Sequence, residues 1–326
     1  MIDSKDIFNI KTEREFSNMA LRIFKHQFKN NKVYRSFCDL INIHPSDVTT
    51  IKEIPFLPIQ FFKSHHLVSS NNTVETTFTS SGTTGSMTSK HSVTDLEIYK
   101  NSFRKGFQAF YGNIQDYVVL ALLPSYLERE GSSLVYMVHD MISKSNHPES
   151  GFYLNNLSEL KDRFISLDNK GKKTLLIGVS FALLDFVETY KFNLQNTIVM
   201  ETGGMKGKRK ELVREELHAI LKRGFGVKDI HSEYGMTELL SQAYSKGEGL
   251  FYCPNWMRIL TRETEDALGI QNEGKAGGIN IIDLANINSC AFIATQDLGR
   301  VHEGNAFEII GRFDNSDIRG CNLMVL

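Results

Sequence analysis

Three short apolar runs, at residues 117–123, 174–178 and 197–201, limit the possible folds more than any other feature of the chain. Each is rich in Val, Ile, Leu or Met, lacks polar alternation and is too short for a core helix, so each reads as a strand buried on both faces. Around them the spacing predicts helices over residues 95–110, 131–142 and 181–190, and a charged amphipathic one over 208–223. Such strands alternating with helices describe an α/β fold, a large, mixed and mainly parallel sheet flanked by helices. Ahead of this region, Phe16, Met19, Ala20, Ile23, Phe24 and Phe28 recur at helical spacing, and Pro55 and Pro58 then force an extended crossing. After Phe251 the pattern changes, with residues 277–283 and 306–310 reading as strands and hairpins. No repeat, low-complexity segment or linker intervenes, so one domain over residues 1–326 is expected, helical over 1–75 and β-rich over 251–326.

A chain of 326 residues with 41% hydrophobic content can bury a large core. Its 37 basic and 38 acidic residues nearly cancel, so no global field favours nucleic acid or an anionic membrane. The N-terminus lacks a basic segment followed by an apolar one, and no run of 18 apolar residues occurs; neither signal peptide nor membrane span is expected, and the cytoplasm is the expected address. Cys38, Cys253, Cys290 and Cys321 show no CxxC spacing, which fits neither a disulfide framework nor a zinc site. A functional cysteine here would act alone, as a thiol.

The loop Thr79-Ser80-Ser81-Gly82-Thr83-Thr84-Gly85-Ser86 follows a β-prone run and sets two glycines among hydroxyl residues. That composition suits a phosphate cradle, with exposed N–H groups, close backbone approach and extra donors. It is not a Walker A loop, because Met87 stands where the second glycine should be. Taken alone, the loop reads equally well as a polar surface turn.

Three further motifs follow in order: Glu233-Tyr234-Gly235-Met236-Thr237-Glu238, Thr295-Gln296-Asp297 and Gly311-Arg312-Phe313-Asp314. With the loop, this set resembles the adenylate-forming superfamily, the acyl-CoA synthetases and their relatives. The resemblance implies that Ser80, Ser81, Gly82, Thr83, Thr84, Gly85 and Ser86 grip the phosphates of ATP, that Tyr234 and Gly235 meet the adenine, and that Gly203 and Gly204 lie beside it. It also implies that Thr237 touches phosphate, that Glu238 holds Mg²⁺, and that Asp297 and Arg312 take the ribose hydroxyls. Ser180, Phe181 and His231 fall near the acyl pocket. The chemistry of each assignment is sensible: an aromatic face suits a purine, a carboxylate suits a hard cation or a diol, and Arg offers a fork of donors.

The sequence also departs from that superfamily. Gln296 replaces the central glycine of Thr-Gly-Asp, Lys90 is the candidate for the lysine expected close behind the loop, and only twelve residues follow Asp314, where a lid domain with a catalytic lysine would begin. Residues Ile54-Pro55-Phe56-Leu57-Pro58-Ile59-Gln60-Phe61-Phe62-Lys63, Glu201-Thr202-Gly203-Gly204-Met205-Lys206-Gly207 and Arg319-Gly320-Cys321-Asn322 look like the acyl-protein synthetase (LuxE-type) family, which lacks the lid. By that resemblance a carboxylic acid, fatty in this family, is activated as acyl-AMP, Cys321 accepts the acyl group as a thioester, and an acyl-CoA-reductase-type protein or another carrier thiol receives it. Arg319 beside Cys321 suits a thiolate nucleophile.

Competing readings have sequence support as well. Leu176-Ile177-Gly178-Val179-Ser180-Phe181-Ala182 resembles a degenerate nucleophile elbow, with Ser180 as nucleophile and His218, His231 or His302 downstream. Direct formation of acyl-CoA or acyl-carrier thioesters, with a partner supplying the missing lysine, is a second alternative. A degenerate binding subunit is a third.

Overall fold

The computed structural model describes residues 2–69, 73–80, 87–124, 131–153, 156–203 and 212–313. Within them the strands are β1 (Leu57–Pro58), β2 (Thr76–Thr79), β3 (Lys90–Val93), β4 (Val118–Leu122), β5 (Gly151–Phe152), β6 (Thr174–Gly178) and β7 (Thr197–Thr202). They continue as β8 (His231–Tyr234), β9 (Ala243–Ser245), β10 (Phe251–Tyr252), β11 (Met257–Arg262), β12 (Ala276–Asp283), β13 (Phe292–Val301) and β14 (Ala306–Arg312).

Twelve of these strands form one mixed sheet in the order β11-β12-β13-β14-β10-β9-β8-β7-β6-β4-β5, with β1 beside β13. The apolar runs become β4, β6 and β7, neighbours in parallel register with β8 as the next strand (Gly178 opposite Glu201, Thr202 opposite Glu233). All five residues of β4 and of β6 are buried, as strands covered on both faces require. From β8 onward the pairings along the sheet are antiparallel, which is the β-rich C-terminal part. The prolines of the extended crossing do not keep it out of the sheet. Leu57 and Pro58 pair in parallel with Ile293 and Ala294, and proline is tolerated because β1 is a two-residue edge. Strands β2 and β3 form a separate antiparallel pair.

Helix Glu13–Asn30 begins with a capping box: Thr12 Oγ1 accepts from Glu15 N at 3.2 Å, while Glu15 Oε2 accepts from Thr12 N at 3.0 Å. Its apolar stripe, Phe16, Met19, Ala20, Ile23 and Phe24, is buried. On the same helix, buried Gln27 donates through Nε2 to Asn286 O (2.9 Å) and Ile287 O (3.0 Å) and accepts from Ala291 N (3.0 Å). This fastens the N-terminal helices to the turn between β12 and β13. The helices Leu96–Tyr111, Ser133–Ser145 and Ser180–Thr189 fall within a residue or three of the ranges predicted from spacing, and Arg214–Phe225 starts later than expected among the described residues.

Candidate active site

In sheets of this kind ligands bind beyond the carboxyl ends of the parallel strands. Here β7 ends in Thr202, followed by Gly203, and β8 ends in Tyr234, followed by Gly235. Both edges open into a cleft of about 1140 Å³, which is also lined by Ser80, Ser89, Ser180, Thr237, Glu238, Asp297 and Arg312. The volume exceeds the roughly 300–1,000 Å³ of an ordinary small-molecule site, leaving room for two ligands side by side.

One end of the site is a carboxylate held by two donors. Asp297 on β13 and Arg312 on β14 are cross-strand partners, and Arg312 Nε stands 3.0 Å from Asp297 Oδ1. Tyr234 donates its hydroxyl to Asp297 Oδ2 at 2.7 Å, and its ring packs edge-on against Phe251 and Phe307. Burial first, and then the Asp297 charge, push the Tyr234 phenol well above its ordinary pKa, so it stays a donor.

The other end gathers hydroxyls around a buried acid. Ser80 and Ser89 bracket the predicted phosphate loop and bond each other: Ser89 N donates to Ser80 Oγ at 2.8 Å, and Ser80 N to Ser89 O at 3.0 Å. Burial raises the Glu238 carboxyl above its ordinary pKa, against the hydrogen bond from Ser89 and the charges of Lys63 and Arg312. The backbone around it is fixed from two sides. Asn286 Nδ2 donates to Glu238 O at 2.8 Å, and His91 Nδ1 lies 2.8 Å from Thr237 O, donating from that nitrogen because the oxygen can only accept. Burial lowers the His91 pKa to about 4, so the ring is neutral. Asp283 accepts from Leu240 N (2.8 Å), Ser241 N (3.0 Å) and Ser241 Oγ (2.5 Å), closing the turn that follows Glu238.

The cleft is also lined by two buried carboxylates, Glu201 and Glu233, which head two of the quoted sequence motifs without a role there. The Thr202 hydroxyl donates to Glu233 Oε2. Burial, reinforced by nearby Glu201, raises the Glu233 carboxyl to about 7, although Thr202 pulls it down. For Glu201 burial acts upward too, but His218, Arg214 and Ser232 outweigh it and hold the carboxyl below its ordinary value. At Gly235 a Cβ would run into Glu233 Oε1, so a larger residue there would have to displace the Glu233 carboxylate. Gly203 adopts φ +70°, a left-handed conformation open to glycine at little cost.

Not every expected residue reaches the cleft. Lys90 is exposed on β3 and is not among the lining residues. Phe181 is core, 4% exposed. His231 contacts the Tyr111 hydroxyl at 3.1 Å rather than the cleft. Ser81, Gly82, Thr83, Thr84, Gly85, Ser86, Gly204 and Cys321 lie outside the described residues. Ser180 lines the cleft but is not assembled as a nucleophile: its hydroxyl donates to Gly203 O (2.6 Å) and lies 3.2 Å from Glu201 Oε2. His218 sits 3.7 Å from Glu201 and His302 3.3 Å from Glu308, so the elbow finds no histidine. Lys63, quoted above only within a family stretch, lines the cleft.

A mixed sheet of this order, with Ser80, Ser89 and the Tyr–Asp–Arg cluster lining the cleft beyond β7 and β8, has the fold of the large domain of the adenylate-forming ligases. Solved structures agree on the fold. A 2-hydroxyisobutyryl-CoA ligase in complex with 2-HIB-AMP and CoA matches with a TM-score of 0.70 at 10% identity, over 93% of this chain and 75% of that one. ATP-bound MatB from Rhodopseudomonas palustris matches with a TM-score of 0.54 at 15% identity, over 74% of this chain and 49% of its own. The chain belongs to the acyl-protein synthetase (LuxE) family, whose profile matches residues 4–326. Its relatives include the long-chain-fatty-acid–luciferin-component ligases of Vibrio harveyi, 25% identical over 94% of this chain and 86% of the relative, and of Aliivibrio fischeri, 24% identical over 97% and 89%.

Proposed function

We propose that this chain activates a long-chain fatty acid with ATP and passes the acyl group to its own Cys321. The observation that carries the reading is the cleft, whose lining includes both the Tyr234–Asp297–Arg312 cluster and the Ser80–Ser89–Thr237–Glu238 hydroxyl–acid group. In this reading Asp297 and Arg312 hold the ribose, Tyr234 and Gly235 border the adenine, and Ser80, Ser89 and Thr237 donate to phosphate oxygens.

The donor set fits Mg²⁺. Glu238 is 6% exposed and shares the cleft lining with the hydroxyls of Ser80, Ser89 and Thr237 and, among the described residues, with no histidine or cysteine. Mg²⁺ characteristically uses one or two carboxylates and completes its shell with phosphate and water. When bound it would neutralise phosphate charge at Glu238. The chain's own groups do the rest: they align the acid carboxylate with the α-phosphorus and surround the phosphates with oriented donors.

Two steps balance the chemistry. The fatty carboxylate oxygen bonds to the α-phosphorus and the bond to the β-phosphate bridging oxygen breaks, giving acyl-AMP and pyrophosphate. The Cys321 thiolate then bonds to the acyl carbon and AMP leaves with the electron pair of the broken anhydride bond. The thioester is poised for an acyl-CoA-reductase-type partner or another carrier thiol. No helix among the described residues is long and apolar enough to cross a membrane.

The test is transfer of ¹⁴C-labelled fatty acids to the protein with ATP and Mg²⁺. Label that needs ATP, is released by hydroxylamine and is absent in Cys321→Ala is expected, with Glu238→Gln reducing it through the first step. Pyrophosphate exchange with unlabelled wild-type protein would move the acceptor elsewhere, and silence in both assays would sink the proposal.

A further inference from the structure

We infer that Lys63 is the cation that receives the β- and γ-phosphates of ATP, and therefore the departing pyrophosphate, in place of Lys90, which does not line the cleft. The inference rests on the adenylation reading above and deepens it.

Charge accounting in the cleft carries the argument. Among the described residues three cations line it: Lys63, Arg214 and Arg312. Arg312 is committed to Asp297 at 3.0 Å. Arg214 lies over the Phe251 ring, 4.7 Å from its centroid, and 3.7 Å from Glu201. Lys63 forms no ion pair with any described residue, and its charge is one of the lesser influences that oppose burial at Glu238. It shares the lining with Thr79, Ser80, Ser89, Thr237 and Glu238, the residues around the predicted phosphate loop. Even with Mg²⁺ at Glu238 a triphosphate keeps a net negative charge that neutral hydroxyls and N–H groups do not balance, so an unpaired ammonium there has an evident ligand.

The position is also built rather than accidental. Strand β1 pairs with β13, and Ile59 N donates to Ala294 O at 2.9 Å, one residue before Thr295-Gln296-Asp297. Lys63 N donates to Gln60 O at 2.9 Å, in the turn that opens the short helix Phe61–Ser64. Buried Phe62 packs edge-on to His91 with ring centroids 5.5 Å apart, and His91 holds Thr237 O. Lys63 therefore stands on the same rigid connection as Thr237 and Glu238.

The experiment compares wild type with Lys63→Ala and Lys63→Arg in the full chain by ATP–pyrophosphate exchange, and separately by acyl transfer from synthetic hexadecanoyl-AMP to the protein thiol. Lys63→Ala should raise KM for ATP and for pyrophosphate roughly 10- to 100-fold, as loss of a charge-assisted contact does, with Lys63→Arg recovering part of the loss. Transfer from hexadecanoyl-AMP should stay within about twofold of wild type, because that half-reaction contains no β- or γ-phosphate. The thermal midpoint should not move, since the side chain is exposed and unpaired. Unchanged pyrophosphate KM in Lys63→Ala beside an active wild type would overturn the inference alone, as would equal loss in both half-reactions. Absence of exchange in the wild type would overturn the adenylation reading and Lys63's role with it.

Discussion

If Asp297 holds the ribose as proposed, replacing it with asparagine separates that site from the fold that carries it. An ionised carboxylate offers about four acceptor positions, and Tyr234 and Arg312 take one on each oxygen. The remaining position on each oxygen suits a vicinal diol. In Asp297→Asn the amide keeps its oxygen toward Arg312 and turns its NH₂ toward Tyr234, whose phenol oxygen then accepts. Stability should fall by about 1–3 kcal/mol, because the Tyr234 hydroxyl loses its acceptor, whereas the Arg312 side chain is 74% exposed and its ion pair is screened by solvent. The ribose, by contrast, loses one charge-assisted acceptor, worth about 1.5–3 kcal/mol, or roughly 10- to 150-fold in affinity. The assay is KM for ATP and for 2′-deoxy-ATP in pyrophosphate exchange, with the urea midpoint measured alongside. Wild type should discriminate strongly between the two nucleotides and Asp297→Asn much less, as expected when two changes remove one interaction. A normally folded Asp297→Asn that keeps wild-type KM for ATP, or equal discrimination in both proteins, would refute the assignment.

Two further outcomes follow from buried Glu233. Gly235→Ala should cost about 1 kcal/mol of stability or less, because the Cβ meets only the end of the Glu233 side chain, and should raise KM for ATP by displacing that carboxylate, measured by denaturant melts and exchange kinetics on the same preparation. Glu233 is raised from 4.5 to about 7, so the folded state binds the extra proton: its stabilising contribution is present below about 4.5 and is lost as pH rises through about 7. Glu233→Gln should consequently flatten the stability profile over that window, by about 3 kcal/mol at most. Parallel profiles for the two proteins would show that Glu233 does not titrate there.

Parts of the structure were legible in the sequence because their physics is local. Strands β4, β6 and β7 announce themselves by apolar runs covered on both faces. The site motifs were legible as residue types, and the cleft gathers Ser80, Gly203, Tyr234, Gly235, Thr237, Glu238, Asp297 and Arg312. Strand β8 was not readable, since His231-Ser232-Glu233-Tyr234 is polar and owes its strand conformation to β7 and β9. Lys90 and Lys63 illustrate the limit. Proximity in sequence to the phosphate loop favoured Lys90, but on β3 it does not line the cleft. Lys63 reaches the cleft through the pairing of β1 with β13, which no local pattern encodes.

That pairing also bears on how the chain acquires activity during synthesis. Leu57 meets Ile293, and Gln27 and Asn286, which bond, stand 259 positions apart. Contacts this distant form late and slowly. A nascent chain lacking β13 would already contain the hairpin strands and the Tyr234–Glu238 motif, yet it would have neither Asp297 nor the strand that anchors the Lys63 segment. On the roles proposed for Asp297 and Lys63, nucleotide binding should therefore switch on only once residues near 300 have left the ribosome.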